Sequence, residues 1–258
     1  MPTAGVVGLL PMVTYFFLVV TIFIFTGNLI FALTTQASIR LAFRFIHSLT
    51  AVVAAVTLFS GYLTQSAYEG MLTELATIAD ASDRQTLIRE SYNSVGQYRY
   101  MDWFVTAPLL LIQLIFGLNL RVHDNKRSLA VLLIATSAMF FASFIGHQQL
   151  SFDNEIQVGA KVSWGVIATV IYGFIAFTLY RRRKQMDEHI SPDKQRINRI
   201  ASITIVTCWG VYLLGYFLTV ADIDFNWIHI AFTLADITSK VSVGLLVYFV
   251  NRQSTEYS

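Results

Sequence analysis

Charge is scarce in this chain. Only 13% of its 258 residues are Asp, Glu, Lys or Arg, against about 25% in an average soluble domain. A soluble domain so poor in charge could not cover its own surface. The formal net charge of +2 gives no electrostatic footprint for nucleic acid, so no nucleic-acid partner is expected. Cysteine is almost missing: Cys208 stands alone, which excludes a disulfide framework within the chain. Set in an apolar run, it reads as a small buried residue. A basic leader is missing too. The first apolar run, Val6 to Leu33, lacks a positive n-region and is too long for a signal-peptide h-region, so it is expected to be retained as a membrane-spanning helix. No internal repeat or low-complexity tract appears.

What is present is hydrophobic. Apolar and aromatic residues make up 55% of the chain, and the mean hydropathy is +0.58. About 20 consecutive apolar residues are needed to cross the hydrocarbon core as a helix. Seven runs qualify: Leu9–Thr34, Ile39–Thr64, Arg99–Leu120, Ser128–Gln148, Val162–Tyr180, Ile197–Val220 and Trp227–Val250. The expected fold class is all-α, a single seven-transmembrane-helix bundle over residues 1–258 in a lipid bilayer. The one sizeable polar segment is Gln65–Gln97, a hairpin or a helix.

Basic residues give the expected orientation. Arg40 and Arg44 follow the first run; Arg121, Lys126 and Arg127 follow the third; Arg181, Arg182, Arg183, Lys184, Lys194, Arg196 and Arg199 follow the fifth; Arg252 ends the last. The other side carries Arg84, Arg89 and Lys161. This predicts the N-terminus outside and the C-terminus cytoplasmic. Ser191-Pro192-Asp193 reads as a loop and helix start, with Asp193 at the positive end of the sixth helix.

Ionisable groups inside spans cost about 2.5–3.5 kcal/mol each at the bilayer centre on insertion scales, so they mark function. In the last run, Asp236 and Lys240 are four apart and share a helix face. The plain reading is a buried ion pair. The functional reading is a desolvated amine ready to condense with an aldehyde, with Asp236 as counterion. In the third run, Asp102, Thr106 and Gln113 lie along one stripe, Gln113 about 16 Å beyond Asp102 at 1.5 Å per residue. Arg99 precedes Asp102 by almost one turn, and Pro108 frees a carbonyl within the same helix. Trp103, Trp164, Trp209, Tyr212 and Tyr216 are each ordinary core aromatics taken singly. Beside a reactive lysine they suit the walls of a flat conjugated ligand.

Together these residues resemble the microbial (type 1) rhodopsins. Arg99-Tyr100-Met101-Asp102-Trp103, Thr106-Ala107-Pro108 and Leu109-Leu110-Leu111 look like their third helix; Asp236-Ile237-Thr238-Ser239-Lys240 looks like their seventh; Trp164-Gly165 and Trp209 with Tyr212 fit the fifth and sixth. The resemblance runs over nearly the whole chain, in order. It implies all-trans retinal bound covalently as a Schiff base on Lys240, with Asp102 and Asp236 as counterions and Asp102 accepting the Schiff-base proton after illumination. It also implies that Arg99 lies on the exit side, that Thr106 hydrogen-bonds Asp102, that Trp103, Trp209, Tyr212 and Tyr216 line the polyene, and that Met139 and Ser143 border the ionone ring. Trimers or pentamers are common among such proteins, and a microbial plasma membrane is the expected location.

Gln113 completes an Asp-Thr-Gln pattern where many outward proton pumps carry an acid. An amide cannot hand over a proton at physiological pH. Bacterial sodium-pumping rhodopsins resemble the chain here but have Asn and Asp where it has Asp102 and Thr106, which disfavours sodium. Chloride pumping is disfavoured because Asp102 already supplies the charge a halide would replace. Leu213 stands where a proline commonly follows the sixth-helix tyrosine.

Two functions follow, neither of them enzymatic. One is a light-driven outward proton pump, with Asp222 and Asp224 near proton release or merely solvated loop acids. The other is a slow photosensor acting through a separate transducer. For the sensor, Arg44 and His47 in the second run are candidate regulators; their plain readings are snorkelling to the headgroups and core packing. A seven-helix receptor or channel without retinal, with Asp236 and Lys240 as a structural pair, is the third reading.

Overall fold

The structure is a computed structural model that describes residues 2–117, 126–151, 156–186, 192–221 and 223–252. Seven long helices fill it: α1 Leu9–Thr34, α2 Arg44–Leu75, α3 Ala81–Gly117, α4 Lys126–His147, α5 Val158–Met186, α6 Pro192–Leu218 and α7 Phe225–Asn251. A helical turn at Ala4–Val7 precedes α1, and two 3-10 turns, Gln36–Ser38 and Leu41–Phe43, lead into α2. All seven are long and apolar enough to cross a membrane. In lipid the backbone must satisfy its own hydrogen bonds, which favours such helices.

The helices close a ring in chain order, each against the next and α7 back against α1, with α3 touching α7 across the middle. That crossing brings Asp102 to face Asp236 and Lys240. On α1 the exposed side chains Phe16, Phe23 and Ile30 recur at spacings of seven and present one apolar stripe outward, as a lipid-facing helix should. The main core is aromatic and aliphatic, built around Trp103, Leu111, Met139, Trp209, Tyr212 and Phe232.

The polar segment Gln65–Gln97 is helical apart from residues 76–80. It extends α2 and α3 past the membrane. At 37 residues, α3 is about 55 Å long against a hydrocarbon core of about 30 Å. A second apolar cluster holds this hairpin: Tyr68, Met71, Leu72 and Leu75 of α2 meet Leu87 and Val95 of α3, with Val7 and Leu18 behind them. Asp80 caps α3, its carboxylate accepting from the Ser82 hydroxyl at 2.6 Å and from the Ser82 and Asp83 backbone N–H groups at 2.8 and 3.3 Å. Arg84 donates to the carbonyls of Val6 and Ile78, tying the N-terminal turn to the hairpin.

The opposite end is fastened differently. Arg40 donates to the carbonyls of Val250 and Asn251, where the last carbonyls of α7 need partners. The Asn251 amide donates to the Gly117 and Val247 carbonyls at 2.6 and 2.9 Å, linking α3 to α7. Arg121, Asp222 and Ser191 lie outside the described residues, as do the side chains of Lys126, Arg183, Asp193 and Lys194. Lys161, read from sequence as a charge flanking the fifth span, is instead buried within the first turn of α5.

Candidate functional site

Four charges meet in the middle of the bundle. Lys240, 2% exposed, sits on the α7 face that Asp236 also occupies one turn earlier. Its Nζ donates to Asp102 Oδ2 at 2.5 Å and to Thr57 Oγ1 at 2.9 Å, and stands 3.0 Å from Asp236 Oδ1. Arg99 Nη1 donates to Asp236 Oδ2 at 3.3 Å, and Nη2 to Thr233 Oγ1 at 2.7 Å. Two cations thus offset two carboxylates, which is the condition for keeping all four out of water.

The two carboxylates are held unequally. Asp236 Oδ1 accepts from Trp103 Nε1 and the Tyr212 hydroxyl, each at 2.9 Å, besides its contacts with Arg99 and Lys240. Asp102 has Lys240 and threonine hydroxyls, Thr57 at 3.1 Å among them. Thr106, expected to bond Asp102, donates to its backbone carbonyl at 2.9 Å, the ordinary back-bond of a helical threonine to the residue four before it, and its hydroxyl is also a hydrogen-bond partner of the Asp102 carboxylate. Thr57 donates to the same carboxylate and bridges it to Lys240. Sequence reading missed it, because a threonine among the apolar residues of α2 belongs to no motif. A narrow cavity lined by Thr21, Thr57, Ser60, Thr64, Arg99, Asp102 and Asp236 opens beside the cluster toward the hairpin.

Flat side chains stand next to the charges. Trp103 stacks on Tyr212 with ring centroids 4.2 Å apart and planes at 21°. Phe232 meets both edge-on, and Phe140 meets Trp103 and Trp209. Phe140 and Phe232 were not singled out from sequence; as phenylalanines in apolar runs they carry no distinguishing signal. Met139 and Ser143 are buried on α4, the Ser143 hydroxyl turned back onto the Met139 carbonyl. Tyr216 lies nearer the hairpin end, donating to the Lys161 carbonyl at 2.6 Å, with half-buried Trp164 close to it across Gly146.

On the other side of Lys240, Gln113 is fully buried and its amide donates to Thr50 Oγ1 at 2.7 Å. Arg44, half-buried, donates to the Ile39 and Ala37 carbonyls at the entry to α2 rather than into the bundle. His47 is buried between Phe31 and Tyr248, with Nε2 3.0 Å from the Thr35 hydroxyl. The structure does not bring Arg44 or His47 to the Lys240 cluster.

A family model described as bacteriorhodopsin-like protein matches residues 11–254. Green-light absorbing proteorhodopsin from Gamma-proteobacterium EBAC31A08 is 22% identical over 167 residues, covering 62% of this chain; the match spans 63% of that relative's length. Bacteriorhodopsin of Haloterrigena sp. (strain arg-4) is 21% identical over 198 residues, covering 74% of this chain and 72% of that protein. Among solved structures, thermophilic rhodopsin superposes with a TM-score of 0.78 at 19% identity over 93% of each chain. Xanthorhodopsin, described as a light-driven ion pump with dual chromophore, gives 0.75 at 17% identity over 93% of this chain and 92% of its own. At these identities the superpositions speak to the fold.

Proposed function

We propose, for a chain that belongs to the bacteriorhodopsin-like protein family, that it binds retinal on Lys240, absorbs light, and moves a proton outward from that lysine through Asp102. The observation that carries this reading is the position of Lys240 Nζ, buried between two carboxylates at 2.5 and 3.0 Å and beside a wall of flat rings. The residues fit the group: the amine is desolvated, its charge has carboxylates ready to balance it, and Trp103, Trp209 and Tyr212, with Tyr216, Met139, Ser143 and Trp164 further along, offer an apolar, largely aromatic lining. Retinal bound there supplies absorption of visible light and a light-driven isomerisation.

The chain's own residues handle the proton. Asp102 is the acceptor because it is the less encumbered carboxylate, with only threonine hydroxyls beside Lys240 where Asp236 has a guanidinium, an indole and a phenol. Asp236 is the more encumbered carboxylate, because Arg99, Trp103 and Tyr212 all donate to it. From Asp102 the hydroxyl-lined cavity leads toward the hairpin, the side that the distribution of Lys and Arg assigns to the outside.

Return of a proton to Lys240 meets Gln113, which cannot donate one. This single observation favours a second reading, a slow photosensor signalling to a separate transducer. Light-induced pH change in cells, with flash photolysis of the purified protein, separates the two. Uncoupler-sensitive acidification outside establishes the pump. Recovery over seconds or longer with no steady acidification replaces it with the sensor. A protein that stays colourless after retinal addition overturns both.

A further inference from the structure

Beyond the Lys240 cluster, a second buried cation lies at the hairpin end, and no acid among the described residues compensates it. Lys161, on the first turn of α5, is 1% exposed, and its Nζ has no hydrogen-bond partner. It stands 5.9 Å from the Tyr92 ring centroid and 5.6 Å from that of Tyr216. Around Tyr92 pack two buried histidines, His147 at 5.1 Å and His229 at 5.2 Å between ring centroids, and Tyr100 lies 4.7 Å from His147. His147 Nε2 is paired with the Asn93 carbonyl, but its Nδ1, the Nδ1 of His229 and the Tyr100 hydroxyl all lack partners.

Buried polar atoms are nearly always hydrogen-bonded, and a buried charge is paired. Lys161 Nζ and the Tyr100 hydroxyl are both donors left without an acceptor. A lysine ammonium offers three N–H donors and no acceptor, and a phenol offers an O–H. An acceptor with a negative charge satisfies such a set. Burial and the point-like ammonium of Lys161, which does not grip an oxyanion in the paired bonds of an arginine fork, select a small spherical ion. We propose that Lys161, with the Tyr100 hydroxyl in the same cluster, binds a small monovalent inorganic anion such as chloride, at a site separate from Asp102, Lys240 and Asp236. The site does not depend on the retinal reading.

The test uses the purified full-length protein, melted at one pH and constant ionic strength in sodium chloride and in sodium gluconate, followed by tryptophan fluorescence. Chloride near a hundred times its dissociation constant is expected to raise the melting temperature by about 5 °C. Lys161→Met is expected to melt alike in both salts. Crystals grown in bromide provide an independent readout, with an anomalous peak expected within hydrogen-bonding reach of Lys161 Nζ. Equal melting of the unaltered protein in both salts overturns the site, as does a chloride shift that survives in Lys161→Met. Should Lys161→Met fail to fold, the bromide map decides: a peak beside Lys240 alone, or no peak, overturns it.

Discussion

The two halves of the bundle, divided at Lys240, are chemically unlike. Toward the hairpin lie Arg99, Asp102, Asp236, His229, His147 and Lys161, all buried. Toward the other end, the seven helices carry no Asp or Glu apart from Asp193 at the start of α6, and the buried polar groups are mainly neutral pairs such as Gln113 with Thr50 and Asn251 with backbone carbonyls. Lys240 therefore has a carboxylate within a hydrogen bond on one side and an amide on the other. Under the proposed function, the asymmetry would give direction to the first step and make the return the slow one.

The comparison breaks most completely if its dividing point is removed. Lys240→Ala is expected to abolish the visible absorption band formed on retinal addition, and to leave two carboxylates facing each other across an unfilled gap. Loss of one partner from a buried ion cluster costs about 3–5 kcal/mol, so the variant should also melt earlier; a normal band would sink the assignment of Lys240. Asp102→Asn removes only the acceptor. Light-driven acidification is expected to fall by a factor of about 100 or more while the band persists at a shifted wavelength. Asp236→Asn should instead show chiefly as instability, because it strands Arg99, Trp103 and Tyr212. If the two asparagine variants prove interchangeable in both measurements, the unequal roles drawn from their hydrogen bonds are wrong.

A smaller change attacks the neutral half. Gln113→Glu places a carboxylic acid on the stripe that leads to Lys240. Recovery in flash photolysis is expected to accelerate by about 10- to 100-fold, turning a slow return into a relayed one. An unchanged rate would mean that the slow step lies elsewhere, and the contrast between the halves would lose its kinetic meaning.

Much of this was legible in the sequence, and for a physical reason. Charges inside apolar runs are expensive, so Asp102, Asp236 and Lys240 stood out individually, and helix periodicity placed Asp236 beside Lys240 before any fold was known. The seven spans were legible because hydrocarbon demands long apolar helices; Leu9–Thr34 came out as α1 at both ends. What hid was whatever depends on packing between helices. Thr57 meets Asp102 from another helix, across 45 positions, and no local pattern announces it. The hairpin was ambiguous because its helices are stabilised by a seam of their own, Tyr68, Leu72 and Leu75 against Leu87 and Val95, spread among polar residues that lower the local hydropathy. Lys161 looked like a flanking charge because it stands only three residues inside α5, and burial there comes from α3 and α6 aromatics.

Packing near the ring system offers a milder test. A Cβ at Gly165 would fall 2.6 Å from Tyr216 Cε1 and 2.7 Å from Phe217 Cε1, both in the interior between α5 and α6. Gly165→Ala is expected to cost about 1–3 kcal/mol through overpacking, read as a lower melting temperature of the protein after retinal addition. Because Tyr216 lies toward the charged half, the same variant should leave the kinetic effect of Gln113→Glu intact; loss of that effect would show that the halves are mechanically coupled.

The smallest effect sits at the hairpin tip, outside the membrane. The Ser82 hydroxyl, then the Ser82 and Asp83 backbone N–H groups, hold the Asp80 carboxylate below its usual range. A carboxylate depressed in the folded state contributes stability at pH above its unfolded value, about 3.9, and loses it as pH falls through the folded value. Acid should therefore loosen the first turn of α3 before it disturbs anything around Lys240. After correction for intrinsic rates, amide exchange over residues 82–86 is expected to quicken below about pH 4, with the visible band unchanged. Asp80→Asn keeps a capping side chain but cannot titrate, so its exchange should lose this dependence. Should the band move together with the exchange, acid is reaching the buried cluster, and the hairpin is not the independent extension that its separate apolar seam implies.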